Sequence, residues 1–509
     1  MTTIAILAGA SSTVDNKSWD NLSWSKIKKQ VVRLQMRIAK ATREGRNGKV
    51  RALQRLLTYS FYAKCMAVRR VTRNKGARTP GVDGILWRSN LQKIQATLSL
   101  KRKGYEPLPL RRIYIPKKQK GKLRPLSIPA MKDRAMQALW HLALEPIAEE
   151  RADPNSYGFR PKRSTRDAIE QCFKVLSTRV SAKWIFEGDI YSCFDRISHE
   201  WLLKNIPMDG IILSKFLKAG FMEKQVLYPT TLGVPQGGII APTIALMALS
   251  GLERKLNNIF KRKGEKVNVT SYADDFIVTG ATAELLQKAV VPEIEIFLSE
   301  IGLEISQEKS KITNIEDGFD FLGFNIRKYE GKLLIKPSKG SIKTFLTEIR
   351  RVIKANPTAK TENLIRLLNP KITGWVNYFR NVVSSRVFTY VDHQIFKAIW
   401  RWIKRRHPHQ NKAWIIKKYF KRCRLSNNRF CAIIKDKDGK NMPLYLRIAK
   451  DTVIRRHIKI RGLAHPYNPQ FKDYFEERKR KLTTRKPTGI TGIRLADELP
   501  GSVSCLIRA

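Results

Sequence analysis

Tyr272-Ala273-Asp274-Asp275 lies between two short apolar runs, residues 267–270 (VNVT) and 276–279 (FIVT). Both runs are rich in the β-branched and aromatic residues that favour strands, so the stretch predicts a hairpin with two carboxylates at its tip. Adjacent aspartates repel and are costly to bury without neutralisation, and a pair held on a tight turn between buried strands points to a divalent cation. A polar hairpin turn, where Asp is favoured anyway, is the plainer account of the tetrad taken alone.

A further carboxylate strengthens the metal reading. Residues 183–190 (KWIFEGDI) predict another strand, ending in Asp189, with Phe194 and Asp195 in the turn toward a helix. Two-metal phosphoryl transfer needs acidic groups from more than one strand to hold two Mg²⁺ ions ~4 Å apart. Asp189, Asp274 and Asp275 together supply such a set, whereas Asp195 reads as an N-cap or a structural contact.

The charge balance indicates the partner. The 509 residues hold 98 Lys and Arg against 43 Asp and Glu, a net charge of +55 spread along the chain. So much like charge is unfavourable without a polyanion, and nucleic acid is the expected partner. A membrane partner is not expected, since there is neither a lipidation motif nor an apolar run long enough to span a bilayer. Cysteines 65, 172, 193, 423, 431 and 505 show no paired spacing and read as reduced thiols.

Taken in order, residues 20–73 predict two basic amphipathic helices with apolar stripes at Ile27, Val31, Leu34, Ile38 and at Val50, Leu53, Leu57, Phe61. Residues 111–116 (RRIYIP) predict a strand leading into a very basic loop, 117–125, suited to clamping a triphosphate. Helices follow over 131–150 and 164–176. The glycines of Gly233-Val234-Pro235-Gln236-Gly237-Gly238 allow close backbone approach to a ligand, and an apolar helix over 242–252 fits beneath a sheet. Beyond Lys336 the chain predicts basic helices over 342–354, 361–368 and 392–406. Trp375, Tyr378, Phe379, Trp400 and Trp402 are core or stacking candidates there, and Arg401, Lys404, Arg405 and Arg406 face outward toward phosphates. Residues 410–482 read as a second small module with strands at 429–435 and 442–448 around an Asp438-Gly439 turn. Residues 483–509 read as a loose tail.

An ordered series of motifs runs through the chain: Thr79 to Gly84, Arg124-Pro125-Leu126 through Gln137, Tyr157 to Pro161, Gly188-Asp189 through Asp195, Pro235-Gln236-Gly237-Gly238, Tyr272 to Asp275, Gly302-Leu303 through Lys309, and Phe321-Leu322-Gly323-Phe324. This series resembles the reverse transcriptases encoded by group II introns, the intron maturases, and among them the cyanobacterial proteins most. The similarity continues through residues 371–379 (KITGWVNYF) to about residue 482.

The resemblance implies an α+β right-hand polymerase: fingers and a palm with an antiparallel sheet over 20–335, and an α-helical thumb or maturase domain over 336–409. A small basic DNA-binding region over 410–482 would follow. It implies Asp189, Asp274 and Asp275 as ligands of two Mg²⁺ ions, with the Ile190 backbone near them. Lys117 and Arg124 would hold the triphosphate, Phe194 would be the aromatic gate beneath the sugar, Gln236 would steady the nucleotide, and Lys309 would lie near the growing strand. A flat ring five residues past a metal-binding Asp also makes sense as a wall against a 2′-hydroxyl. The implied partners are intron RNA, target DNA and dNTPs, in a ribonucleoprotein of the bacterial cytoplasm. Three positions depart from the family pattern: Arg166 where His is frequent, Glu187-Gly188 where Asp-Ala is common, and Ser310 where Thr is usual. None removes a ligand.

Three functions stand open at this point: an RNA-templated DNA polymerase that also assists splicing of its intron, a splicing cofactor with an idle polymerase site, and an RNA-templated RNA polymerase. Phe194 and the maturase-like thumb weigh against the last. Residues beyond Leu482 contain no histidine and one cysteine, so the His-Asn-His nuclease of many relatives is not expected, and a primer borrowed from host DNA synthesis is.

Overall fold

The computed structural model describes residues 19–116, 123–423, 426–435 and 438–484. Its organising element is a four-stranded antiparallel sheet in the order Asn268–Tyr272, Asp275–Gly280, Trp184–Asp189, Lys311–Asn314. Side chains alternate across a strand, and here the alternation divides the molecule. Phe186, Phe276 and Val278 point into one hydrophobic core and Ile185 and Ile277 into another. The two inner strands are therefore apolar on both faces, which explains the unbroken FIVT run.

The first core joins the palm to the fingers. Three helices, Trp24–Arg43, Asn47–Tyr59 and Phe61–Arg73, pack against Met131–Arg151, which is buried along most of its length. Sequence periodicity predicts two helices over 20–73; the chain makes three because Ser60 adopts an extended ψ of 127° and breaks the second stripe. The fingers sheet pairs Leu110–Pro116 with Leu123–Ile128, setting Ile115 opposite Arg124, and adds the short strands Phe221–Glu223 and Val226–Tyr228.

The second core joins the other palm face to the thumb. Phe319–Phe321 and Phe324–Tyr329 meet at a two-residue turn in which Leu322 and Gly323 both have positive φ, 53° and 80°. The thumb grips this turn: Tyr378 donates its hydroxyl to the Leu322 carbonyl at 2.9 Å and Ser341 to that of Gly323 at 3.0 Å. The thumb helices are Lys339–Ala355, Thr361–Phe379 and Ser385–Arg406. The second runs past the predicted end at 368 and through Pro370, because the buried stripe Leu364, Leu368, Ile372, Val376, Phe379 continues and compensates the lost backbone bond. Trp375 stacks on Phe345 at 4.6 Å, and Trp402 donates its indole N–H to Asn356.

The described residues of 410–482 do not build a core of their own. Helix Lys412–Tyr419 and strands Phe420–Cys423, Ser426–Lys435 and Asn441–Tyr445 place Ile415, Tyr419, Phe420, Phe430 and Leu446 in the thumb's core. The chain then returns across the back of the palm as a strap. His457 donates to Asp167 at 2.8 Å, and Arg478 reaches the same carboxylate at 3.0 Å. Arg163 donates to the Gly462 carbonyl, His465 pairs with Glu150 at 3.1 Å, and Tyr467 bonds Glu145. Burial alone raises the Asp167 pKa, yet the bonds from His457, the Ile460 N–H and Arg478 outweigh it and hold the group below the usual carboxylate range. No helix among the described residues is long and apolar enough to cross a membrane.

Candidate active site

Tyr272 pairs with Asp275 across the hairpin, leaving Ala273 and Asp274 as a two-residue turn with Ala273 at φ 59°. A non-glycine residue at positive φ is strained, so something must hold the turn. The segment 155–158 does so. Ser271 donates its N–H to the Asn155 carbonyl at 3.1 Å and Tyr157 its own to Ser271 at 2.9 Å. At Gly158 there is no room for a side chain: a Cβ would stand 2.1 Å from the Ala273 nitrogen. Behind it Lys459 of the strap lies 3.3 Å from the Tyr157 hydroxyl and 2.6 Å from Gln171. Sequence reasoning places 156–161 in a turn without this role; the Tyr157-Gly158 pair is the signal that could have found it.

The sheet brings the three predicted carboxylates together. Asp189 is the register partner of Asp275, and directly opposed Cα atoms in such a ladder lie ~4.5–5.5 Å apart. Asp274 is one residue further on the turn. Lys309 sets its ammonium against Asp189 at 2.6 Å, and that bond, with Asp274 and Asp275 nearby, raises the lysine's pKa. Ser310 keeps the hydroxyl that Thr would bring, accepting the Asp189 N–H at 3.1 Å. Glu187 bonds Thr313 at 2.7 Å and pairs with Lys311, its carboxyl raised by burial; the neighbouring Gly188 leaves room for the Phe276 ring.

Among the described residues no three acidic, histidine or cysteine side chains stand close enough together to hold a metal ion, so the register gathers the backbones of Asp189, Asp274 and Asp275 without a formed ligand cluster. Lys309 supplies positive charge beside Asp189, and its side chain is more than half exposed. Three hard carboxylate donors on one sheet end are the right chemistry for Mg²⁺, so the residues fit that ion.

Phe194 lies in the short helix Cys193–Arg196, edge-on to Phe159 with centroids 6.0 Å apart. Asp195 is not the N-cap, a place taken by Ser192; its carboxylate accepts from the Gln236 amide at 3.2 and 3.3 Å. Ile190 is buried and bridges to Ile305. The glycines of the loop make room for other parts of the protein, backbone at Gly233 and Gly237 and a side chain at Gly238. A Cβ at Gly233 would meet Asp195, at Gly237 the Ser127 carbonyl, at Gly238 the Gln137 side chain. Arg124 is exposed on its fingers strand, and Lys117 lies outside the described residues.

On the last thumb helix Arg401, Lys404 and Arg405 are exposed, as predicted, and Arg406 is not free to face phosphates. Its guanidinium donates to the Ala359 carbonyl at 2.5 Å and lies 4.5 Å from the Trp402 ring, tying the end of this helix to the loop before Thr361. The helix phase turns it inward.

Family models agree with this layout. Residues 19–100 match the N-terminal domain of reverse transcriptase, 115–326 the reverse transcriptase (RNA-dependent DNA polymerase) family, and 342–420 the group II intron maturase-specific domain. Protein YkfC of Escherichia coli is 33% identical over 326 residues, covering 55% of this chain and 83% of that one. The group II intron-encoded protein LtrA of Lactococcus lactis is 30% identical over 347 residues, covering 54% of this chain and 57% of LtrA. An uncharacterized 91 kDa protein in the cob intron of Schizosaccharomyces pombe is 28% identical over 404 residues, 63% of this chain and 49% of its own length. The chain thus spans about half the length of the last two. With its polymerase motifs on one sheet and the maturase match on the thumb, the chain belongs to the reverse transcriptases of group II introns.

Proposed function

We propose that the chain polymerises DNA on an RNA template at Asp189, Asp274 and Asp275, and that it binds its own intron RNA, assists its splicing and copies it at a DNA target. The observation that carries the reading is the register pairing of Asp189 with Asp275 beside the Asp274 turn, which gathers three carboxylates from two strands at one sheet end. Two magnesium ions bound there supply Lewis acidity toward the primer 3′-hydroxyl and the leaving pyrophosphate.

The protein's part is placement. Arg124, with Lys117, holds the triphosphate from the fingers, Arg as a fork and Lys as a point charge. Phe194 closes the space beneath the sugar, and Gln236, its amide oriented by Asp195, steadies the nucleotide. Lys309 neutralises Asp189 in the free protein and releases it when the site is loaded. Arg401, Lys404 and Arg405 offer the thumb's exposed charge to RNA phosphates. The working form is a ribonucleoprotein in a bacterial cytoplasm.

Primer extension on an RNA template tests the assignment. Asp274→Asn is expected to abolish cDNA synthesis while leaving intron RNA affinity near wild type, since ligation needs a carboxylate and docking uses distant basic surface. Wild-type extension by this variant would overturn it.

A further inference from the structure

His199 opens the helix His199–Asn205, is 6% exposed, and sits five residues past Phe194. Its Nε2 lies 2.8 Å from the Gly233 carbonyl. A carbonyl oxygen only accepts, so the ring carries its proton on Nε2. Nδ1 has no partner among the described residues, so nothing there calls for a second proton, and burial lowers the ring's pKa toward the neutral form.

This bond completes a seam between the gate segment and the glycine loop. Gly233 donates its N–H to the Ile197 carbonyl at 2.8 Å, and Val234 donates to the Phe194 carbonyl at 2.6 Å. Gly233, at φ 80°, lies so close that a Cβ would stand 2.5 Å from the Asp195 carbonyl carbon and 2.6 Å from the Phe194 oxygen. Gln236, further along the loop, joins the Asp195 carboxylate. The main-chain bonds of the seam form with any sequence. His199 is the side chain that holds the carbonyl end of the Gly233–Val234 peptide, whose N–H end is held by Phe194, and so braces the distance between the Phe194 ring and the Gln236 amide, the two groups assigned to the incoming nucleotide.

We infer that His199 is a positioning residue for sugar discrimination: by stapling Gly233 to the gate segment it holds Phe194 at the height that rejects a ribonucleotide. The inference rests on the reading of Phe194 as the gate. It requires no contact between His199 and the nucleotide. Losing the bond leaves the Gly233 carbonyl buried and unpaired, so the loop moves to find water and the ring moves with it.

The test uses the full-length protein on an RNA template, comparing kcat/KM for each dNTP and its matching rNTP. His199→Phe keeps a flat aromatic ring, somewhat larger than imidazole, and removes the donor. It is expected to lower the dNTP preference about tenfold, whereas loss of stability alone would reduce the active fraction, measured by single-turnover burst, without moving the ratio. His199→Gln presents an amide nitrogen at the Nε2 position and is expected to restore most of the preference. Phe194→Val run alongside reports on the gate itself. A ratio unmoved in His199→Phe but relaxed in Phe194→Val would refute the role of His199 while keeping the gate; a ratio unmoved in both would remove the gate and the inference with it.

Discussion

Gly158→Ala puts one methyl group against the Ala273-Asp274 turn, the proposed metal site. The added carbon would stand 2.1 Å from the Ala273 nitrogen and 2.8 Å from its Cα, where ordinary contact begins near 3.4 Å, so one backbone must give by roughly 1 Å. Gly158 is pinned by Tyr157, buried and bonded to Ser271, so the displacement is expected to fall on the hairpin tip. Overpacking of this kind costs about 1–3 kcal/mol of stability. Misplacing a reacting group by 1 Å costs about 10²-fold in rate. Single-turnover primer extension should therefore fall about a hundredfold, with intron RNA affinity unchanged and only a few degrees lost from Tm. Extension within twofold of wild type would show that the turn does not depend on its backing.

Burial raises the pKa of Asp133, which accepts from the Tyr105 hydroxyl and the Leu108 N–H, to about 6. A raised carboxyl holds its proton more tightly when folded, so its contribution grows as pH falls from about 7 to about 4. Wild type should gain on Asp133→Asn across that window by at most about 3 kcal/mol in urea unfolding, and a pH-independent difference refutes it. Neutralising Arg401, Lys404 and Arg405 to Gln should weaken RNA binding and flatten its salt dependence by roughly 0.7–0.9 for each phosphate no longer neutralised, read by filter binding at several salt concentrations. Arg406→Gln should instead lower Tm and leave the salt slope alone, because its bonds are to Ala359 and Trp402.

What was legible in the sequence is local. Two aspartates between β-branched runs predict a hairpin tip, and Asp189 at the end of an apolar run predicts a neighbouring strand end. The inner strands carry their burial in their composition. Features set by contacts between distant segments were not legible. The Tyr157-Gly158 pair signals a close approach but not that Ala273 makes it, and nothing near Gly233 says that Asp195 lies against it. Arg406 reads like its neighbours until the third helix is placed against residue 359. The strap lies beyond local pattern altogether, since His457 and Asp167 are 290 residues apart.

That separation has a consequence for synthesis. A ribosome adding about 5–20 residues per second needs roughly 15–60 s to travel from Asp167 to His457. Throughout that interval Glu145, Glu150 and Asp167 lack the partners that residues 457–478 bring, and the turn behind the Tyr272–Asp275 hairpin lacks Lys459. The helices of residues 24–73, basic and complete, leave the exit tunnel long before. A nascent chain thus acquires its first cationic surface well before its palm is closed, and polymerase competence arrives last in the life of the message that encodes it.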